Sequence, residues 1–546
     1  MPAARRLARF GWDDWALALF AVLLVLALAT FEDYGVTWDE DAQNWYGIAV
    51  LNYYLSGFTD HGFMRLYDLF HYGSIFDTVA AALNRVSPIG TFETRHLLNA
   101  LTGIVGIVGT WKLGRALGGP RTGFVAALFL ALTPNYYGQM FNNPKDVPFA
   151  AGMAWALYYL VRTIPQLPRP DWRLVGKLGL AAGLALAVRV GGLLIFGYTG
   201  VALLAYGLWR FGESHSLARA AGEAWTGFWR LLLPAMVVAY PVMLVFWPWA
   251  QQSPLLNPVR AVLYFSHEIF PYGTLFDGRY IPAGDLPWDY LPTYIVLALP
   301  ELVLLLLTAA PILAVVYLRR GGARIERARI ISGFVLGFAI VFPVAYAIAI
   351  KAVLFDGMRH FIFVLPPIAV AAALAAEPAL AALARWRWRP WAYGALAFYG
   401  LYHVAVMAML HPDEYVYYNA FIGGTRGAQG LFKLDYWANS YAEDVAALED
   451  YLRAEYGDDV TDRDFTVFVC GPPASAAYYF PPNFVFTPDR ANAEFVIAFT
   501  KDACNESVTG RTIYRVERLG TLLSVVIDRR AVLAHGPRAA TVATGG

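Results

Sequence analysis

Between Trp15 and Phe31 the chain carries no charged residue, and apolar stretches of similar length recur as far as residue 410. A helix of about 17–25 apolar residues is what crosses a hydrocarbon layer roughly 30 Å thick. Water cannot satisfy backbone N–H and C=O groups in that layer, so the spanning elements must be helices or a closed barrel. The stretches lie at 14–31, 97–111, 123–140, 147–161, 174–188, 191–209, 231–248, 291–318, 330–350, 361–377 and 391–410. All are too long for barrel strands. They predict a polytopic α-helical membrane protein with about eleven transmembrane helices. Arg189 falls between two of them, which could be one broken helix. Composition agrees: 15% of residues are charged and 58% hydrophobic, where a soluble domain has about 25% charged. A net charge of +1 with no separate basic domain gives nucleic acid nothing to bind. The first stretch lacks a small-residue cleavage site and reads as a retained helix rather than a signal peptide.

Basic residues alternate from loop to loop. Arg5, Arg6 and Arg9 begin one set, which continues through the loops near 112–121, 162–177, 210–230, 319–329 and 385–389. The other set is poorer in Lys and Arg. Basic loops stay cytoplasmic, so the expectation is a multi-pass protein of the inner (plasma) membrane. Its N-terminus would be cytoplasmic and its C-terminus extracytoplasmic. Residues 1–411 form the membrane domain in this reading and 412–530 a small extracytoplasmic α/β domain, with a disordered tail at 531–546. Helical spacing marks 442–456; strand patterns mark 465–469, 484–486, 494–499 and two runs within 513–528. The long loop 32–96 is expected to form short interfacial helices. The loop 249–290, rich in Pro, Tyr and Trp, is suited to capping a cavity.

The residues that can carry chemistry fall on the predicted outer face. Asp39, Glu40 and Asp41 follow the first span, beside Trp38, Trp45 and Tyr46. Partial dehydration there raises a carboxylate's affinity for a proton or cation, which suits a base or metal ligand. Acids after a membrane exit can also simply stay solvated. Lys145 and Asp146 are the only charges between residues 122 and 161. Lys145 fits an anionic headgroup or phosphate; Asp146 can pair with it, cap the next helix or help hold a metal. Arg95 with His96, Arg189, and Arg359 with His360 add cations at the outer edge, where a lipid phosphate would need neutralising. Tyr415, Tyr417, Tyr418 and Asn419 offer flat faces and hydrogen-bonding groups for a sugar, or a hinge between domains. Cys470 and Cys504 both fall in the exported domain and are expected to pair in an oxidising compartment, although two free thiols also fit the sequence. Walker, dinucleotide-binding, H-E-x-x-H and G-x-S-x-G patterns do not occur.

The Asp-Glu pair after the first span resembles the GT-C superfamily of polyprenyl-phosphate-sugar glycosyltransferases. So do Asn143-Pro144-Lys145-Asp146-Val147-Pro148, Arg359-His360 with Pro366-Pro367, and Tyr415-Val416-Tyr417-Tyr418-Asn419 with Gly423-Gly424. The branch it resembles is that of the protein O-mannosyltransferases and the lipid A aminoarabinose transferase, over about residues 1–440. The resemblance implies Asp39 as catalytic base or part of a divalent-metal site, with Glu40 as companion. It places Lys145 and Arg359, and with them Arg95, Arg189 and His360, on the donor phosphate. It implies a lipid-linked sugar donor, a membrane lipid environment and an extracytoplasmic acceptor. The third acid, Asp41, departs from the family pattern. The rival function is a transporter or lipid flippase, which would need ionisable groups at mid-membrane depth; here they lie near the outer ends of spans.

Overall fold

The computed structural model describes residues 11–266, 272–321 and 326–535. Among these, nine helices are long and apolar enough to cross a membrane, from Trp12–Thr30 to Arg389–Leu410. Three of the eleven expected spans differ. The stretch 123–140 is broken into Pro120–Ala131 and Pro134–Asn142. Pro134 cannot donate to the preceding turn, and it forces Thr133 into an extended conformation. The stretch 174–188 is the fifteen-residue helix Trp172–Leu186, ending just before Arg189, whose backbone is extended. The expected span 291–318 is likewise split at Pro300, into Tyr290–Ala298 and Glu301–Gly321. The basic N-terminal residues Arg5, Arg6 and Arg9 lie outside the described residues, as do Arg324 and the tail beyond residue 535.

The loop 32–96 folds as expected into helices, chiefly Trp38–Leu55 and Ile75–Asn84, which pack on each other. Within 249–290 lies a two-stranded hairpin, β1 (Gly273–Phe276) and β2 (Arg279–Pro282). Its turn is Asp277-Gly278, both with positive φ, the residue pair that a tight two-residue hairpin turn favours.

The C-terminal domain is a five-stranded sheet of β3 (Phe465–Val469), β4 (Phe484–Phe486), β5 (Phe495–Phe499), β6 (Arg511–Arg518) and β7 (Thr521–Asp528). The order is β4-β3-β5-β7-β6, with β3 parallel to both β4 and β5 and the remaining pairs antiparallel. Helix Tyr441–Tyr456 covers one face. Cys470 and Cys504 are joined in a disulfide, with Cα atoms 6.5 Å apart.

Two boundaries move. The apolar core of the C-terminal domain begins at Ala438, whereas Tyr415 through Trp437 pack into the core of the helical bundle. The segment 412–437 therefore belongs to the membrane unit, because its aromatic side chains find their apolar partners there. At the other end, helix Arg530–His535 continues past the expected start of the disordered tail. Asn439 ties the two units together. Its Oδ1 accepts from the Gly35 N–H (2.8 Å) and from Asn142 Nδ2 (2.9 Å), and its Nδ2 donates to Asp413 Oδ1 (2.6 Å). A Cβ at position 35 would lie 2.1 Å from the Asn439 carbonyl oxygen, so only glycine allows this approach.

Candidate active site

The site starts from the helix Trp38–Leu55. Thr37 precedes it with extended backbone, and its N–H donates to Glu40 Oε2 (2.9 Å). This reciprocal cap satisfies donors left open at a helix start. Glu40 is fully buried and its Oε2 also meets His96 Nε2 at 3.2 Å. Its carboxylate thus faces the helix start and His96. Asp39, one residue earlier, points elsewhere. It sits in the first turn, where the helix dipole favours a carboxylate, and its side chain keeps 38% exposure.

Arg359 reaches Asp39 from a different part of the chain. Asp356 and Gly357 both have positive φ, 54° and 74°. This left-handed pair, which a Cβ-bearing residue at 357 would strain, reverses the chain. The Gly357 N–H donates to Tyr290 Oη (3.2 Å). Arg359 then opens the short helix Arg359–Val364 at the head of Leu365–Arg385. Its Nη1 donates to Asp39 Oδ2 at 2.6 Å. The guanidinium lies 4.8 Å from the Phe355 ring and 5.4 Å from the Trp437 ring, so it is desolvated and held in place.

A second cationic pair stands close by. Pro144 ends the helix Pro134–Asn142, and Asn143 Oδ1 accepts from the N–H groups of Lys145 (3.4 Å) and Asp146 (3.0 Å). That turn presents Lys145 just before helix Asp146–Thr163. Lys145 Nζ lies 3.9 Å from the Tyr72 ring centroid, with the Arg189 guanidinium 5.6 Å from the same ring. Arg189 Nη2 is 2.6 Å from Asp146 Oδ1. The helix Asp146–Thr163 packs on both Thr91–Gly118 and Arg359–Val364, which brings the loops into one place.

Electrostatics follow from this layout. Burial pushes the Asp39 carboxyl up, but the charges of Arg359 and Lys145, the Arg359 hydrogen bond and the charge of Lys501 together hold it below the ordinary range. Lys145 is lowered to about 8 by burial and by Arg189, more than Asp39, Asp77 and Asp146 restore. Asp41 is pushed up by burial, partly offset by a hydrogen bond from Trp45. It faces its own helix rather than the cations.

The expected residues thus divide. Asp39, Lys145, Asp146, Arg189 and Arg359 converge, and the His360 ring packs edge-on against Phe355, 4.8 Å between centroids. Arg95 is fully buried and paired with Asp77 at 2.6 Å, with its guanidinium over Phe76; it supports the floor of the site rather than opening into it. Tyr415, Tyr417, Tyr418 and Asn419 do not form an open sugar-binding face. All four are buried. Tyr415 O–H donates to Asp435, Tyr418 O–H to the Lys433 carbonyl (2.7 Å), and Asn419 Nδ2 to the carbonyls of Val296 (2.7 Å) and Leu299 (2.9 Å). Asn419 satisfies the backbone that the break at Pro300 leaves open. The three tyrosines line a small closed cavity beside Asp356 and Lys433.

The carboxylates do not assemble a metal site in this arrangement. Asp39 and Asp146 are each taken by an arginine, and among the described residues no three His, Cys, Asp or Glu side chains converge. Four participants were not singled out from the sequence: Tyr72, Asp356, Lys433 and Lys501. Tyr72 carries no signal apart from lying in an aromatic loop. Asp356 stands beside Gly357, a turn signature.

Residues 91–242 match a protein family described as dolichyl-phosphate-mannose-protein mannosyltransferase. The stretch contains Arg95, Lys145, Asp146 and Arg189 but not Asp39 or Arg359. No curated protein matches the chain. Among solved structures, ArnT from Cupriavidus metallidurans in the apo state superposes with a TM-score of 0.50 at 16% identity, over 96% of this chain and 99% of that one. The chain has an ArnT-like GT-C fold. The same ArnT bound to undecaprenyl phosphate gives a TM-score of 0.49 at 16% identity, with the same shares covered. The oligosaccharyltransferase of Archaeoglobus fulgidus gives 0.46 at 12% identity, over 89% of this chain and 69% of that one. The resemblance to the GT-C superfamily drawn from residues is borne out, and within this GT-C fold the Asp39–Arg359 pair lies where the helical bundle meets the C-terminal domain.

Proposed function

We propose that the protein is an integral-membrane glycosyltransferase that moves a sugar from a polyprenyl-phosphate carrier to a hydroxyl or amine on an extracytoplasmic protein, lipid or cell-envelope glycan. The carrying observation is the half-exposed Asp39 carboxylate, ion-paired to Arg359 at 2.6 Å and acted on by the charge of Lys145 from another loop. The family matched by residues 91–242 is named for a dolichyl-phosphate sugar donor, which supports the donor class. The alternation of basic loops supports the extracytoplasmic placement of the site.

In the reaction, the acceptor oxygen or nitrogen forms a bond to the anomeric carbon as the bond from that carbon to the phosphate oxygen breaks. The acceptor's proton goes to Asp39. Polyprenyl phosphate leaves with the bonding electron pair. One direct displacement inverts the anomeric centre. The developing phosphate charge needs fixed positive charge in a water-poor place, and Lys145, Arg189 and Arg359 supply it. Arg359 serves both sides of the reaction, since it also orients Asp39.

The experiment compares cell-envelope glycans and glycoproteins by mass spectrometry in cells with and without the protein, alongside binding of undecaprenyl phosphate to the purified protein in nanodiscs. The expected result is loss of a defined glycan modification and saturable lipid-phosphate binding. An unchanged glycan profile together with no binding would overturn the reading.

A further inference from the structure

The exported domain does not merely hang beside the site. Its parallel strands β3 and β5 are neighbours, so the loops that follow them, 470–471 and 500–504, emerge at the same end of the sheet. In open α/β sheets that carboxyl end is where functional loops gather. Here it faces Trp38, the residue immediately before Asp39. The Trp38 ring lies 6.5 Å from the Phe499 ring, and Lys501 Nζ stands 4.7 Å from a Trp38 ring centroid. The Cys470–Cys504 disulfide joins these two loops. Between Lys501 and Cys504, Asp502 and Ala503 have φ of 56° and 55°. Left-handed backbone is disfavoured for an ordinary residue, so surrounding contacts must hold it there.

Lys501 Nζ donates to the Tyr436 carbonyl (3.2 Å) and lies 3.7 Å from Asp356 Oδ1. Lys433 Nζ lies 3.8 Å from the same oxygen. Asp356 is buried and opens the turn that leads to Arg359. Both Asp356 and Asp39 attract the Arg359 guanidinium. Asp39 makes the direct contact at 2.6 Å, whereas Asp356, like Asp146, acts on Arg359 through its charge; Lys433 and Lys501 stand beside Asp356 and offset that pull.

We infer that Lys501 is a positioning residue supplied to the site by the exported domain: it occupies Asp356 and holds Trp38, so that Arg359 stays on Asp39. This deepens the proposed function and rests on Asp39 being the base. The disulfide belongs to the same device, because it fixes the loop that carries Lys501.

The test uses the full-length protein in nanodiscs and the variants Lys501→Met and Lys501→Arg. Hydrogen–deuterium exchange over 355–361 and 36–42 needs no donor. Lys501→Met should raise exchange severalfold in both segments while β3 and β5 keep their protection, and Lys501→Arg should behave as the parent protein. Asp39 faces Arg359, Lys145 and Lys501 from three different elements. Removing one of these charges lets its carboxyl rise, so the acid limb of transfer should move to higher pH in Lys501→Met and not in Lys501→Arg. A merely structural contact would lower turnover without moving that limb. Unchanged exchange in both segments, or an unmoved acid limb, would overturn the inference. Failure of the proposed function is seen separately, as unaltered transfer in Asp39→Asn. Cys504→Ser should raise exchange over 36–42 in the same direction; if it does not, the disulfide has no part in the device.

Discussion

Replacing Asp39 by Asn keeps the shape of the side chain and removes its charge and basicity. The structural cost can be bounded. Removing one partner of a fully buried ion pair costs about 3–5 kcal/mol, but the Asp39 side chain is 38% exposed. Arg359 also keeps Asp356 and two aromatic rings as neighbours. A loss of about 1–2 kcal/mol is therefore expected, small enough to leave the protein folded. The chemical cost should be larger. A positioned general base contributes about 10²–10⁴ in rate, which is roughly 2.7–5.5 kcal/mol of barrier. The assay is single-turnover release of free polyprenyl phosphate from a sugar-charged donor, with the donor's sugar chosen from the glycan comparison. Binding of undecaprenyl phosphate is measured in parallel and should stay near that of the parent protein, because the cations remain. Turnover by Asp39→Asn within about tenfold of the parent, with Glu40→Gln or Asp41→Asn inactive, would refute the assignment and move the base to a neighbour.

Lys145→Ala and Arg359→Ala should each weaken undecaprenyl phosphate binding and slow transfer, and the double variant should lose less than the two losses combined if both touch one phosphate; unchanged affinity and turnover in both single variants would remove them from the site. Lys145 sits at about 8, so its charge is present below that pH and lost as pH rises through it. Affinity for undecaprenyl phosphate should accordingly fall above about pH 8 in the parent protein and stay flatter in Lys145→Arg, as read by binding titrations across pH. Cys504→Ser should destabilise the C-terminal domain by about 2–4 kcal/mol, measured by pulse proteolysis of the full-length protein in denaturant, while thiol labelling of the unfolded, unreduced parent protein should find no free thiol.

Much of the architecture was legible because its causes are local. Uncharged runs made helices, and the aromatic and β-branched runs 465–469 and 484–486 made strands at those same limits. The misplaced features are those in which a few residues override a long pattern. Pro134 and Pro300 each split an apolar run whose mean hydropathy does not register them. The boundary at 411 followed composition, whereas Tyr415, Phe432 and Trp437 followed their packing partners into the bundle. The same holds at the site. Asp39, Lys145 and Arg359 stood out because charge is rare where they lie. Glu40 stood out equally, yet its carboxylate caps Thr37 and meets His96. Lys501 could not stand out, since a lysine in a soluble domain is ordinary until the fold brings it over Trp38.

The lowered proton affinity of Asp39 bears on how it could serve as a base. A carboxylate held ionised by an arginine and two lysines is a weak proton acceptor, and general-base catalysis is strongest when the base's pKa lies near the working pH. The resolution lies in what the cations would do once a donor is present. A phosphate brought beside Lys145 and Arg359 competes with Asp39 for the same positive charge, and charge drawn onto the phosphate is charge withdrawn from the carboxylate. Asp39 then keeps the burial that raises its proton affinity while losing part of what lowers it. Basicity would therefore develop when a leaving group is in place to use it, and an empty site would hold a quiescent, ionised carboxylate. This coupling requires that Arg359 be shared rather than fixed, which is why the neutralisation of Asp356 by Lys433 and Lys501 matters. An unneutralised Asp356 would draw the arginine away from both Asp39 and the phosphate.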